Sequence, residues 1–169
     1  MMDELLKTRR SVRKYRPGQV PDKLLDDVLE AGLYAPSAMN NQGPVMVAVR
    51  EKATRDRLSR MNAAVMGAGG DPFYGAPCVI IVLADPDRPT WVEDGSLVMG
   101  NLLNAAHELG LGSCWIHRAR EMFDSEEGKA LLKQWDIPER YRGIGCCILG
   151  YADETPAAKK RAENRIRKI

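Results

Sequence analysis

At 169 residues, 44% hydrophobic and 28% charged, the chain can bury a sizeable core but is short for two domains. The formal net charge of +2 hides an uneven partition: six of the 25 cations (Lys7, Arg9, Arg10, Arg13, Lys14, Arg16) crowd one end, and six (Lys159, Lys160, Arg161, Arg165, Arg167, Lys168) the other. Residues 17–158 hold 13 cations against 20 acids, which excludes a broad basic nucleic-acid surface, and no apolar run nears the roughly 20 residues of a membrane span.

In chain order, residues 3–8 read as a short helix, and the opening MMDELLKTRR lacks the apolar stretch of a signal peptide. Residues 7–16 (KTRRSVRKYR) then place six cations around one hydroxyl, Ser11. Arg presents planar forks of N–H donors that match phosphate oxygens, and Ser adds a short neutral donor. With Val12 and Tyr15 between the charges, Arg9, Ser11 and Arg13 share one side of an extended stretch at period two. Such a segment suits a phosphate; the competing reading is a solvated basic patch. A helix opens at Pro21, a favoured first helical position, and fades at Gly32. Residues 34–43 form a polar loop of small side chains that is equally compatible with a plain turn.

Residues 44–50 (PVMVAVR) read as a strand, 51–66 as a helix and 67–77 as a Gly/Pro-rich loop. Residues 78–84 (CVIIVLA) are continuously apolar, the pattern of a strand buried on both faces. The longest apolar helix covers residues 92–109 and carries no charge over 95–106, so it is either the central core helix or half of an extensive subunit interface. Residues 113–117 read as a strand, 125–135 as a helix and 143–151 as a last central strand. The tail from residue 152 has few large apolar side chains and little stability of its own. Cys146 and Cys147 are adjacent on a strand and face opposite sides, so they cannot chelate as a pair. With Cys78 and Cys114 they read as buried thiols in a reducing cytoplasm, and no metal site is expected.

Several motifs fail on inspection. Gly67, Gly69 and Gly70 are not followed by Gly-Lys-Ser/Thr, which excludes a nucleotide-triphosphatase phosphate loop. Gly110 and Gly112 supply only two glycines of a dinucleotide fingerprint and lead into a strand instead of out of one. His107 and His117 are the only histidines, and no nucleophile with a spaced base and acid can be assigned. Redox chemistry carried by a cofactor needs no catalytic side chain, only groups that position and tune the cofactor.

Three segments together resemble the FMN-dependent nitroreductase family. Residues 9–15 (RRSVRKY) are similar to its N-terminal flavin-phosphate motif, residues 35–42 (APSAMNNQ) to its Pro-Ser-small-x-Asn-x-Gln loop, and residues 109–116 (LGLGSCWI) to the strand that ends beside the flavin ring. They occur in the family's order, and the resemblance covers essentially the whole chain. It implies an α+β fold: one domain over 1–169 with a central mixed or antiparallel sheet flanked by helices, forming a domain-swapped homodimer with an extended C-terminal tail. It also implies that Arg9, Arg10, Ser11 and Arg13 hold the FMN phosphate, with Lys159 and Arg161 completing that end. Pro36, Ser37, Ala38, Asn40 and Gln42 would reach the flavin from the other subunit. Trp115 and Ile116 would lie against the ring, and Asn62 would bond its pyrimidine edge. Gly43 departs from the family pattern, and the chain is short for the family, which leaves residues 71–77 (DPFYGAP) as the substitute wall of the site.

The activity implied is a cytoplasmic oxidoreductase that takes a hydride from NADH or NADPH onto FMN and delivers it to nitroaromatics, quinones or similar small planar acceptors. The chemistry resides in the flavin, so no catalytic side chain is expected. Two alternatives remain: a flavin enzyme of the same fold performing reductive dehalogenation or flavin conversion, and a nucleic-acid-binding module using the basic termini. The second lacks interleaved exposed aromatics and any recognised binding motif.

Overall fold

The computed structural model describes residues 2–169; Met1, at the edge of the predicted domain, lies outside them. Four strands, β1 (Val45–Val49), β2 (Cys78–Ala84), β3 (Gly112–Ile116) and β4 (Arg142–Gly150), form one sheet in the order β1-β2-β4-β3. Every pairing between these strands is antiparallel, which settles the mixed-or-antiparallel expectation. Six helices accompany them: α1 (Met2–Thr8), α2 (Asp22–Leu33), α3 (Lys52–Met66), α4 (Trp91–Glu108), α5 (Ala119–Asp124) and α6 (Glu126–Gln134).

The two central strands explain the layering. All seven residues of β2 are buried, and alternate side chains enter separate cores. Val79, Ile81 and Leu83 pack with Leu58, Met122, Phe123 and Leu132, from the helices α3, α5 and α6. Cys78, Ile80, Val82 and Ala84 pack with Val28 of α2 and with Val98, Met99 and Leu102 of α4. The same alternation separates Cys146 from Cys147, one in each core. All four cysteines are free and buried, and burial pushes the Cys78 and Cys146 thiols up to about 12. Among the described residues, no group of three or more His, Cys, Asp or Glu is placed to hold a metal.

Of the two readings for the uncharged helix, the core reading holds for one face of α4, where Gly95, Val98, Met99, Leu102 and Ala106 are buried. Its outer face keeps Leu97 45% exposed. Most element bounds move by a single residue, and one helix is new. Pro21 is the residue before α2 (φ −57°, ψ 146°) instead of its first turn. The six-residue α5 is too short for its periodicity to register in the sequence.

The basic segment leaves α1 and runs across the ends of β3 and β4. Val12 N–H donates to the Ser113 carbonyl at 3.0 Å, Arg16 N–H to Tyr151 at 2.9 Å, and Asp153 N–H returns to Lys14 at 2.9 Å. Two glycines paired across β3 and β4, Gly112 and Gly150, make room for it. A Cβ on Gly112 would sit 2.9 Å from Val12 Cγ1, and one on Gly150 would sit 2.9 Å from Tyr15 Cδ1 and 2.7 Å from Pro77 Cδ. The sequence therefore lays its cations on the sheet end by removing side chains beneath them.

Gly150→Ala is expected to destabilise the fold by about 1–3 kcal/mol through overpacking, because Tyr15 and Pro77 are both ring systems with little freedom to retreat. Thermal unfolding should register a loss of about 2–4 °C per kcal/mol for a chain of this size. An unchanged midpoint would show that the segment is not seated on the sheet.

Candidate functional site

The cations of the N-terminal segment have distinct environments. Arg10 is occupied locally, its Nη1 donating at 2.8 Å to the carbonyls of both Lys7 and Arg9, which caps the end of α1. Arg9 is half-buried, and its Nη1 is fully buried with no hydrogen-bond partner among the described residues. A buried guanidinium N–H without an acceptor is costly, and an anion would relieve that cost. Ser11 lies two residues on, bridged to Ser113 at the start of β3. Arg13 is exposed; its N–H donates to the Glu154 carboxylate, and its guanidinium lies 6.0 Å from the Tyr74 ring centre. An orphaned buried cation beside a hydroxyl, flanked by a second cation, fits the phosphate of FMN.

A cleft of about 410 Å³ opens beside this segment, between Arg13, Tyr74 and the end of β3 at Trp115, Ile116, His117 and Arg118. Trp115 comes to rest on β4 because residue 145 is glycine; a Cβ there would meet the indole Nε1 at 2.5 Å. Behind the following turn, the fully buried Asn62 donates from Nδ2 to the His117 carbonyl at 2.8 Å and accepts from Arg118 Nε at 3.0 Å. These bonds hold Arg118 in the left-handed region (φ 76°). Asn62 thus reaches the cleft through the turn that it braces.

The opposite wall is Asp71, Pro72 and Tyr74, from the 71–77 segment. Asp71 accepts from Arg55 Nη2 at 2.6 Å, Ser59 Oγ at 2.6 Å, Phe73 N–H at 2.9 Å and Gly75 N–H at 2.7 Å. Burial would raise its pKa, but these four donors prevail and hold it below the usual carboxylate range. The same bonds fix Tyr74 at φ 52° and leave the residue 45% exposed.

The loop carrying Pro36, Ser37, Ala38, Asn40 and Gln42 lines a different cleft, with Leu33, Asp94 and Val98. Its clamp is Asp94, a buried first-turn residue of α4 that accepts from Ala38 N–H at 2.9 Å, Asn41 Nδ2 at 3.1 Å and Thr90 Oγ1 at 3.0 Å. Desolvation opposes the Asp94 charge, yet the three bonds keep its pKa below the ordinary value. Within the loop, Gln42 N–H donates to Ser37 Oγ at 3.0 Å, and Met39, Asn40 and Gln42 all have φ near +50°. Strain of this kind persists only where the surroundings enforce it. Among the described residues, no hydrogen bond or ion pair joins this loop to residues 9–16 or 115–118 in the same protomer.

Lys159 and Arg161 are exposed on the tail, whose own polar contacts are the Lys160–Glu163 pair and bonds from Arg167 to nearby carbonyls. One chain therefore brings Arg9, Ser11, Arg13, Trp115 and Ile116 to one region, to which Asp153 and Glu154 are bonded, while the 36–42 loop and the tail residues Lys159 and Arg161 make no hydrogen bond or ion pair with it among the described residues. Sequence reasoning placed Asp71 only within the 71–77 wall and missed its bracing role, together with Arg55 and Asp94. Asp94 looks like an ordinary helix-start acid, and the side-chain partners of Asp71 are 12 and 16 residues away.

The model of the Nitroreductase family matches residues 6–72 and 63–151. A Methanothermobacter thermautotrophicus protein with the provisional name NADH dehydrogenase/NAD(P)H nitroreductase is 32% identical over 160 residues, spanning 92% of this chain and 80% of that protein. A Bacteroides fragilis nitroreductase solved with bound FMN superposes with a TM-score of 0.88 at 30% identity, covering 98% of this chain and 97% of the other. A second FMN-bound nitroreductase, from Desulfitobacterium hafniense, gives 0.88 at 25% identity, with 98% and 96% covered.

Asp94→Ala should cost about 1.5–3 kcal/mol at neutral pH, since it strips a charged acceptor from three donors. Because the folded pKa of Asp94 is depressed, its contribution is complete above the unfolded carboxylate value near 4 and fades as pH falls through the lower folded value. Urea midpoints of the wild type and the variant should therefore converge below about pH 4. A constant gap across that range would remove the ionised Asp94 from the account.

Proposed function

The chain belongs to the nitroreductase family, and from that premise we propose that it is an FMN-dependent oxidoreductase passing reducing equivalents from NADH or NADPH to small planar acceptors, nitroaromatics and quinones among them. The observation that carries this reading is the buried, unpartnered Nη1 of Arg9 beside Ser11. FMN held there would supply the hydride-transfer chemistry between nicotinamide and acceptor.

The residues of the chain bind, orient and exclude water. Arg9, Ser11 and Arg13 would hold the phosphate, with Arg10 shaping the segment from behind. Trp115 and Ile116 would lie beside the ring, and Asn62 sets the turn next to them. The whole of 1–169 acts as one FMN-binding domain.

The site is completed by a second copy of the chain. Pro36, Ser37, Ala38, Asn40 and Gln42 are clamped from within by Asp94 and directed outward, with Met39 fully exposed. Exposed Leu33, Tyr34 and Leu97 add apolar area around them that a partner would cover. The tail contributes Lys159 and Arg161 to the phosphate end of the cofactor in the domain-swapped dimer. Among the described residues, no helix is long and apolar enough to cross a membrane.

Purified protein should be yellow, release FMN on denaturation and oxidise NADH or NADPH with menadione as acceptor. Arg9→Ala should weaken FMN binding by about 1.5–3 kcal/mol in a fluorescence titration of apoprotein, the range for a charge-assisted hydrogen bond. Removing residues 156–169 should lower flavin affinity and dimer stability together in sedimentation. A colourless protein, or an unchanged dissociation constant in Arg9→Ala, overturns the phosphate assignment. A flavin-saturated monomer overturns the shared site.

A further inference from the structure

Two residues lining the cleft beside β3 adopt a backbone conformation that would cost glycine nothing and costs them strain. Tyr74 lies at φ 52° on one wall and Arg118 at φ 76° on the other. Each is held there by a dedicated polar group: Asp71 accepts the N–H groups on either side of Tyr74, and the buried Asn62 grips both the His117 carbonyl and Arg118 Nε. Maintaining strain with such bracing implies that the side chains, and not only the turns, are used.

Their chemistry is specific. Tyr74, a residue 45% exposed, offers a rigid aromatic face. Arg118 has its Nε committed to Asn62 and no ion pair among the described residues, so both Nη groups remain available as a donor fork. The one acid lining the cleft, Asp71, already accepts from four donors and cannot neutralise an incoming cation or repel an anion as a free carboxylate would. Arg13, the other cation there, is assigned to the cofactor in the function proposed above, and the present step rests on that assignment. Arg118 is then a cation without a counter-ion beside an aromatic wall.

We propose that the cleft selects planar aromatic acceptors bearing an anionic group, with Tyr74 as the face on which the ring stacks and Arg118 as the anchor for the anion. Both act as specificity-determining residues, since the redox step needs neither. Stacking against Tyr74 serves charged and neutral rings alike, whereas the Arg118 fork distinguishes a carboxylate from its neutral isostere.

The test uses FMN-loaded protein and two non-reducible probes, benzoate and benzamide, whose binding is read from perturbation of the flavin absorbance. Benzoate should bind about tenfold or more tightly than benzamide. Arg118→Gln should reduce that advantage to less than about threefold, chiefly by weakening benzoate, and Arg118→Lys should keep part of it. Tyr74→Ala should weaken both probes by a similar factor. In turnover, Arg118→Gln should raise KM for 4-nitrobenzoate more than for 4-nitrobenzamide. Equal binding of the two probes to wild type, or an advantage that survives Arg118→Gln, overturns the proposal. Protein that holds FMN and reduces menadione yet shows no benzoate advantage removes this inference alone; protein that holds no FMN removes the function reading along with it.

Discussion

The antiparallel pairing of β2 with β4 is the constraint on which the rest depends. Both strands are buried along almost their whole length, so their backbone groups have no solvent to fall back on and must pair with each other or with the outer strands. Once that ladder forms in register, the period of two assigns side chains alternately to two cores, except across the irregularity opposite Val82 and Leu83, where Ile144 and Cys146 enter different cores. One core takes α2 and α4, the other α3, α5 and α6. A one-residue slip would exchange the two sets completely, so register and layering are the same decision.

The rigid sheet leaves function to the segments at its ends, and each is braced by a polar residue with several partners, Asn62 and Asp94 buried and Asp71 at the rim of the cleft. Asp71 shapes the wall with Tyr74, Asp94 the loop with Asn40 and Gln42, and Asn62 the turn with Arg118. All three are satisfied by several short hydrogen bonds, the condition under which a buried polar group specifies geometry instead of destabilising the fold. Five of the seven non-glycine residues with positive φ lie in these three segments. The energy of packing is thus converted into strained, outward-presented side chains where a ligand would meet them.

What was legible in the sequence follows from range. The strand at 78–84 was readable to the residue, because a run of seven apolar residues has a meaning independent of its neighbours. The opposed placement of Cys146 and Cys147 followed from strand geometry alone. The six-residue α5 and the braces were not legible. Asp94 bonds residues 53 and 56 positions away, and Asn62 bonds residues 55 and 56 positions away. Nothing local separates such a residue from a solvent-exposed polar one. The basic segment was legible as chemistry suited to a phosphate, but its seating on paired glycines required the tertiary register of β3 on β4.

The charge distribution then acquires a physical reading. An acidic body lowers the tendency of the chain to gather anions indiscriminately, while concentrating cations at the two ends confines attraction to those segments. Within the N-terminal segment the cations are not equivalent. Arg10 satisfies backbone carbonyls, Arg13 stays in solvent beside Tyr74, and only Arg9 has a donor enclosed without an acceptor. An exposed cation gains little from an anion that competes with water, whereas an enclosed one gains the full difference between an unsatisfied and a satisfied donor. Selective anion binding at this end of the sheet therefore depends less on how many arginines are present than on the burial that β3, β4 and the glycines between them impose on one.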